Sequence, residues 1–172
     1  MAVGTKPLLL VDIDGVISLF RTPLAGGGNT PVDGSFHSIE GIPHFLSATA
    51  AGHLLDLAAL YDLVWCSGWE ERADEHLPHL LGVPARLPFL RFDRDVGGRT
   101  PHNRAHWKLA AIDTYAGSRA LAWIDDAHDD ACRSWADERA APTLLVGTEP
   151  QLGLTRREAQ ALEGWARGLP GR

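Results

Sequence analysis

Short runs of continuous apolar residues recur along the chain and predict the strands of a buried parallel sheet. The four clearest runs are residues 8–11, 63–66, 120–124 and 143–146. Because their apolar positions are continuous rather than alternating, these strands are expected to be covered on both faces. A weaker run, residues 87–92, predicts a further strand between the second and the third.

Segments with apolar residues at helical spacing separate these runs. A helix is predicted over about residues 104–115, and another begins at Thr155, where Glu158 three residues later completes the pattern of a capping box. Strands that alternate with helices predict an α/β fold built on a parallel sheet. The apolar faces of three helices are formed by Ala51, Leu54, Leu55 and Ala58, by Ala127, Ala131, Cys132, Trp135 and Ala136, and by Ala159, Leu162, Trp165 and Ala166.

Two segments interrupt this alternation. Residues 16–41 contain the glycine- and proline-rich stretches 26–29 and 31–34, which predict a flap or hairpin rather than a helix. Residues 93–103 predict a second exposed loop. Long loops in compact domains often carry function, so both segments are candidates for substrate contact.

The composition is that of an ordinary globular protein and excludes several classes. The 172 residues are 45% hydrophobic and 22% charged, and they predict one domain over residues 1–172 with a sizeable core. No apolar run approaches the roughly 18 residues of a membrane span, and the N-terminal segment lacks the features of an export signal. A cytoplasmic protein with no membrane association is therefore expected. The net charge of −6 argues against a broadly basic nucleic-acid surface, and two cysteines are too few for a disulfide scaffold.

The first chemical signal is a pair of aspartates that follows the first predicted strand. Asp12 and Asp14 lie two residues apart, so extended backbone directs both side chains the same way. The carboxyl edge of an open α/β sheet is where ligands bind, and Gly15 permits a sharp turn close to a ligand. The competing interpretation is a polar turn that only ends the strand.

A second pair of acids, Asp125 and Asp126, closes the third apolar run. If the two strands are neighbours, Asp12, Asp14 and Asp125 meet at one edge of the sheet, where their charges repel strongly. A divalent cation such as Mg²⁺, which takes one or two carboxylates together with substrate phosphate, relieves that repulsion. Helix capping is the competing explanation for Asp126 and Asp129, since acids are favoured at a helix N-terminus.

These acids make Ser67-Gly68 and Lys108 further candidates for the site. Ser67-Gly68 ends the second run, where a hydroxyl and backbone N–H groups suit a phosphate oxygen, although alone the pair is more typical of a helix N-cap. Lys108 lies on the predicted helix before the third run. A lone helical lysine is usually a solvated surface group, so Lys108 matters only if its side chain reaches the carboxylates.

The order and types of these four pieces resemble the haloacid dehalogenase (HAD) superfamily of phosphotransferases. The four motifs of that family are matched, in order, by Asp12-Ile-Asp14-Gly15, Ser67, Lys108 and Asp125-Asp126. The stretches 64–69, 107–108, 122–126 and 141–146 further resemble the small bacterial HAD-domain proteins related to the phosphatase domains of Swiss Army Knife RNA-repair proteins. The resemblance implies a three-layer Rossmann-like α/β fold with a central parallel sheet, a short flap over about residues 16–41 and no full cap domain.

The resemblance also implies a Mg²⁺-dependent phosphatase. Asp12 would attack phosphorus and form an aspartyl-phosphate, whereas Asp14 would protonate the leaving oxygen and then accept a proton from water. An acid at the position of Asp14 marks phosphatases in the family. Mg²⁺ would be held by Asp12, by the backbone carbonyl of Asp14 and by Asp125, with Asp126 in support.

The same resemblance assigns the groups that bind the phosphate. Ser67 and the backbone N–H groups near Gly15 and Gly68 would hold phosphoryl oxygens. Lys108 would bind the phosphate and orient the nucleophile Asp12.

A site without a cap is open, and in the family open sites serve large phosphorylated substrates or are covered by a partner. A nucleotide or a nucleic-acid end is therefore a candidate substrate, and a partner protein or a second copy of the chain is a candidate cover. Phe20 and Arg21 in the flap, and Trp69 and Arg72 after Ser67, are candidate substrate contacts. Trp69 is expected either to stack on a base or sugar or to pack within the fold.

Competing interpretations arise from other motifs. Residues 66–72 match the Cys-x5-Arg spacing of cysteine-dependent phosphatases, but two glutamates within the loop would oppose a dianion and a buried thiol is inert. The pairs His102/His106 and His76/His79 have zinc-ligand spacing but no supporting cysteine or glutamate ligand. The alternative from a different class is a non-catalytic HAD-like module that binds within a larger assembly of the RNA-repair type.

Overall fold

The computed structural model describes residues 6–21, 32–93 and 104–170. These residues form seven strands and five α-helices. The strands are β1 (Leu8–Val11), β2 (Ser18–Leu19), β3 (Gly34–Ile39), β4 (Ile42–Ser47), β5 (Asp62–Trp65), β6 (Leu121–Asp125) and β7 (Thr143–Gly147). The helices are α1 (Ala48–Leu57), α2 (Arg72–Leu81), α3 (Leu109–Ala116), α4 (Asp130–Glu138) and α5 (Arg156–Gly168).

A parallel sheet with the strand order β5-β1-β6-β7 forms the middle layer. Successive residues of a strand face opposite sides, and both sides are apolar in β1. Leu9 and Val11 pack with α1, α2 and α5, whereas Leu8 and Leu10 pack with α3 and α4. The two separate cores explain the continuous apolar runs and confirm the predicted three-layer α/β fold.

The register of the sheet brings three strand ends together. Val11 lies opposite Trp65 of β5 and Ile124 of β6. The backbone N–H of Asp12 donates to the carbonyl of Ile124 at 3.0 Å, which carries the ladder one residue past β1. The residues that follow β1, β5 and β6 therefore share one edge of the sheet.

The segment after β1 folds into a small antiparallel sheet, the flap, with the order β2-β4-β3. The predicted boundary at residue 41 is wrong, because β4 continues to Ser47 and pairs with both β2 and β3. Gly34 begins β3, and the hairpin turns at Glu40 and Gly41, which have φ values of 52° and 81°. The glycine-rich stretch 26–29 lies outside the described residues.

The strand predicted over residues 87–92 is not formed. Only one isolated bridge joins Phe89 to Trp65, flanked by hydrogen bonds from Trp65 to Pro88 and from Leu90 to Trp65. Proline has no backbone N–H, so Pro88 cannot extend the ladder. This segment covers the outer edge of β5 without becoming a fifth strand of the sheet.

Helix α2 was not predicted from the sequence. It buries only Ala73 and Leu77 and contains Pro78, a residue that normally argues against a helix interior. The helix predicted over 104–115 begins as one 3₁₀ turn, His106–Lys108, before α3. Two residues do not belong to the apolar faces predicted for their helices. Leu55 in α1 is exposed, and Ala127 precedes α4.

Two further expectations can be compared with the described residues. The capping box at Thr155 and Glu158 is present at the start of α5, as predicted. None of the helices in the described ranges is long and apolar enough to cross a membrane.

Candidate active site

Three carboxylates meet at the edge of the sheet where β1 and β6 end. Asp12 directly follows β1, Asp125 is the last residue of β6, and Asp126 comes next. One oxygen from each of the three lies within 4.8 Å of the others. Asp12 and Asp125 are buried and Asp126 is half-buried, so these charges have little water around them.

Lys108 supplies the positive charge of this cluster. Its Nζ lies 2.9 Å from Oδ1 of Asp12 and 2.6 Å from Oδ2 of Asp125, and the side chain is buried with them. Burial opposes the charge of Lys108, but the two carboxylates raise the pKa of its ammonium above the usual value. The 3₁₀ turn before α3 therefore directs a charged lysine into the site rather than to solvent.

One ammonium does not balance three carboxylates. Burial, and then the charge of Asp125, raise the pKa of Asp12 to about 7 although Lys108 opposes this shift. The same two causes raise the pKa of Asp126 to about 6. Excess negative charge and an all-oxygen ligand set fit a hard divalent cation such as Mg²⁺. We therefore regard the three carboxylates as suited to hold one.

Gly15 allows Asp126 to come close to the first motif. Its φ is 79°, and a Cβ there would lie 2.3 Å from Oδ2 of Asp126. Its carbonyl accepts a hydrogen bond from the hydroxyl of Thr148 at 2.8 Å, and its N–H donates to the carbonyl of Ser18 at 2.7 Å. The turn therefore already uses the N–H of Gly15 itself, and binding of phosphate by backbone N–H groups near Gly15 stays a prediction.

Asp14 is held by a tryptophan. The indole Nε1–H of Trp69 donates to Oδ2 of Asp14 at 3.0 Å. Trp69 is only 6% exposed, and its ring meets the edge of the His44 ring at 5.0 Å between centroids. Of the two predicted roles of Trp69, packing within the fold is the one that agrees with this burial, because the flap and Asp14 already surround the ring.

Ser67 lies beside these groups, two residues after β5. It is buried, and its Oγ accepts a long hydrogen bond of 3.3 Å from the N–H of Trp69. This bond stabilises the turn before α2 and is not the N-cap of that helix, since α2 begins only at Arg72. Among the described residues beyond its chain neighbours, the atom nearest to a Cβ added at Gly68 belongs to Trp107 and lies 4.0 Å away, so the backbone here is open to an approaching group.

The remaining candidate contacts lie on the flap and at the start of α2. Phe20 is 58% exposed, whereas Arg21 packs over the Phe45 ring at 4.7 Å and donates to the Gln151 carbonyl. Arg72 pairs with Glu40 of the hairpin turn at 2.8 Å. Phe20 is thus available to a substrate, while both arginines are engaged within the protein.

The sequence matches one protein family over residues 8–159, and its description is "HAD domain in Swiss Army Knife RNA repair proteins". The match covers all four strands of the parallel sheet and every residue of the acid cluster. The chain belongs to this family. No curated protein matches the chain closely.

HAD domains are generally hydrolases, and membership agrees with the layered α/β fold and with the buried aspartates at the edge of the sheet. Of the site residues predicted from the sequence, Asp12, Lys108 and Asp125 are in direct contact in the structure. Asp14 and Ser67 each bond to Trp69.

The competing cysteine site does not fit this HAD domain. Cys66 is fully buried, and burial raises the pKa of its thiol, so a reactive thiolate is disfavoured. Arg72, the other half of that motif, is paired with Glu40.

The histidine pairs do not gain support either. In the described ranges the acid cluster is the one group of three or more residues suited to a metal, and neither His76 nor His79 belongs to it. His106 instead bonds Asp129 at 2.6 Å, and His102 lies outside the described residues.

Two neighbours of the HAD site were missed in the sequence, and a third residue was given another role. Thr148 joins β7 to the first motif, and His44 packs on Trp69 from the flap. Trp69, named as a candidate substrate contact, bonds Asp14. Thr148 follows the end of β7 at the same edge of the sheet, and that position was the available signal. The contacts of His44 depend on the fold of the flap and had no sequence signal.

Proposed function

We propose that this HAD domain is a Mg²⁺-dependent phosphatase that hydrolyses a phosphate monoester through an aspartyl-phosphate on Asp12. The observation that carries the proposal is the position of the Asp12 carboxylate, buried at the end of β1 and bonded to Lys108 together with Asp125. A lysine with this double contact keeps Asp12 oriented and offsets its charge as an anionic phosphate approaches.

The chemistry assigns separate tasks to the two aspartates of the first motif. Asp12 forms the bond to phosphorus while the bond from phosphorus to the leaving oxygen breaks. Asp14, which is half-buried, gives a proton to that leaving oxygen and afterwards takes one from the water that attacks the aspartyl-phosphate. Ser67 and the open backbone at Gly68 accommodate phosphoryl oxygens.

The metal would be held by the carboxylates of Asp12, Asp125 and Asp126 and by the backbone carbonyl of Asp14. Its chemistry when bound is to neutralise negative charge on the nucleophile and on the transferring phosphoryl group. Asp126 is proposed here as a direct ligand, because its oxygen lies within the same 4.8 Å group as the others.

The proposed substrate class is supported by the family match and by the small size of the flap. The described part of the flap is a three-stranded sheet rather than a second domain, and Phe20 on it is exposed. We propose a nucleotide or a phosphorylated nucleic-acid end, with a partner protein or a second copy of the chain as the cover.

The test measures phosphate release with and without Mg²⁺ for the wild type, Asp12→Asn and the control Asp130→Asn. Asp130 is an exposed acid outside the cluster. The substrates are p-nitrophenyl phosphate, mononucleotides and short oligonucleotides phosphorylated at either end. We expect Mg²⁺-dependent release that Asp12→Asn abolishes and Asp130→Asn retains. A folded protein that binds Mg²⁺ but releases no phosphate from any substrate would contradict the proposal and favour a binding module.

A further inference from the structure

The indole of Trp69 is fixed from several directions. The His44 ring contacts one side at 5.0 Å with an interplanar angle of 72°, and the Arg72 guanidinium lies 5.7 Å from the indole centroid. The backbone N–H of Trp69 is bonded to Ser67 Oγ. A buried ring held in this way has little freedom to turn its Nε1–H away from Asp14.

The supports of Trp69 reach into the flap. His44 Nδ1 shares a hydrogen bond of 2.8 Å with Ser18 Oγ, and Ser18 pairs with Asp14 through an isolated backbone bridge. Arg72 is tied to Glu40 at the tip of the hairpin. The residues that hold the indole therefore belong to β4, to α2 and to the turn that carries Asp14.

The indole bond makes the two oxygens of Asp14 unequal. Oδ2 accepts from Trp69 at 3.0 Å, and tryptophan can only donate. A carbonyl oxygen accepts a hydrogen bond better than the hydroxyl oxygen of a carboxylic acid. A proton carried by Asp14 is therefore favoured on Oδ1.

We propose that Trp69 is a positioning residue that directs the proton of Asp14 to Oδ1, from which it passes to the leaving group. The inference rests on the proposed phosphatase function. The O–H bond at Oδ1 breaks as a new O–H bond forms on the leaving oxygen and its bond to phosphorus breaks. Oδ1 later takes a proton from the attacking water, whose oxygen displaces Asp12 from phosphorus, and the starting state is restored.

The test compares leaving groups in Trp69→Phe, which removes the N–H and keeps an aromatic ring. The control is Trp165→Phe on α5, where the indole stacks on Tyr61 away from the site. Phenyl phosphate needs protonation of its leaving oxygen far more than p-nitrophenyl phosphate does. The ratio of kcat/KM for phenyl to p-nitrophenyl phosphate should fall about tenfold in Trp69→Phe, within the hundredfold or more supplied by general acids. Asp14→Asn should lower the ratio further, and Trp165→Phe should leave it unchanged.

A second measurement does not depend on turnover. In the ¹H–¹⁵N spectrum, the indole resonance that disappears in Trp69→Phe should shift in Asp14→Ala, while the resonance lost in Trp165→Phe should not. An unmoved Trp69 resonance would show that the bond to Asp14 does not exist and would overturn the inference.

The outcomes separate the two proposals. An inactive wild type would contradict the phosphatase function and, with it, the role of Trp69. An active wild type whose leaving-group ratio is the same in folded Trp69→Phe would contradict the role of Trp69 alone.

Discussion

At the scale of single residues, the site depends on how a few buried groups compensate one another. Lys108 is the cation that contacts both Asp12 and Asp125, and all three side chains are removed from water. A buried ion pair adds little stability compared with apolar packing, but removal of one partner leaves a charge that nothing solvates. Loss of Lys108 would therefore leave two buried carboxylates without their counter-charge.

Replacement of Lys108 by Met should destabilise the metal-free protein. The two aspartates would lose their buried counter-charge, and we expect a loss of about 3 kcal/mol in the free energy of unfolding. Urea titration in the presence of a chelator measures this loss. The control is Lys6→Met, because Lys6 is exposed and, within the described residues, its ammonium donates to the Ala58 carbonyl. Equal stability of the two variants would show that Lys108 does not compensate the cluster.

Gly15→Ala should disturb the metal site beyond the strain of its backbone. The left-handed conformation costs roughly 1–2 kcal/mol for a residue with a Cβ, and here the Cβ also displaces the carboxylate of Asp126, 2.3 Å away. Gly41→Ala is the matched control, since φ is 81° there and no atom lies within 4 Å of the added Cβ. Calorimetric titration with Mg²⁺ should show weaker binding in Gly15→Ala and unchanged binding in Gly41→Ala. The same affinity in both variants would exclude the steric role of Gly15.

At the scale of elements, helix ends and turns hold the layers in place. Helix α5 begins at the capping box of Thr155 and Glu158, and its buried face packs Ala159, Leu162 and Ala166 into the core. Glu158 is buried as well, and it bonds the backbone and hydroxyl of Thr155 and the guanidinium of Arg157. This cap sets where the helix starts and which face it buries.

The capping box should make the stability of α5 dependent on pH. Burial opposes ionisation of Glu158, but the hydrogen bonds from Thr155 and Arg157 outweigh it and lower its pKa below the ordinary 4.5. When folding lowers the pKa of an acid, the ionised group stabilises the folded state at pH values above the unfolded-state pKa. This stabilisation is lost as the pH falls through the folded-state pKa. Glu158→Gln should cost about 1 kcal/mol at neutral pH and progressively less below pH 4.5.

Denaturant titrations across the acid range check this difference. Glu163→Gln is the control on the same helix, because Glu163 lies near the surface and its contact with Arg167 is long, at 3.9 Å. A constant difference between wild type and Glu158→Gln at every pH would contradict the assignment.

The elements differed in how well the sequence predicted them, for physical reasons. The strands of the parallel sheet are buried on both faces, so each has a continuous apolar run, and the predicted bounds are within one residue. Helix α2 carries Pro78 and buries only two residues, so its pattern was too weak. The length of the flap depends on pairing between β2 and β4, which are distant in sequence and leave no local signal.

At the scale of the whole molecule, the parallel sheet explains why the acids could be placed from sequence. Asp12 and Asp125 follow apolar runs, and parallel strands end at a common edge, so their proximity follows from topology. The hydrogen bond from Trp69 to Asp14 joins the turn after β5 to the turn after β1, and no periodicity in the sequence indicates it. The sequence therefore predicted the acids and Lys108, but not the bond from Trp69 to Asp14.

Mg²⁺ binding should stabilise the whole domain. A ligand that binds only the folded state adds about 2.7 kcal/mol at a hundred times its Kd, which for a domain of this size raises Tm by roughly 5–10 °C. Thermal unfolding with Mg²⁺ and with a chelator measures the shift. We expect a smaller shift in Asp126→Asn and the full shift in Asp130→Asn. A full shift in Asp126→Asn would remove Asp126 from the ligand set.

The central position of β1 has a consequence for the time the site stays assembled. The amide of Asp12 is bonded inside a sheet that has strands on both sides, whereas β3 is an edge of the small flap sheet with mostly exposed residues. Amide hydrogens at such an edge exchange with solvent through local opening, while those of a central strand wait for global unfolding. Hydrogen exchange should therefore be slowest around Asp12 and fastest in the flap. Asp12, the proposed nucleophile, would therefore keep its place while the outer strand of the flap opens and reforms.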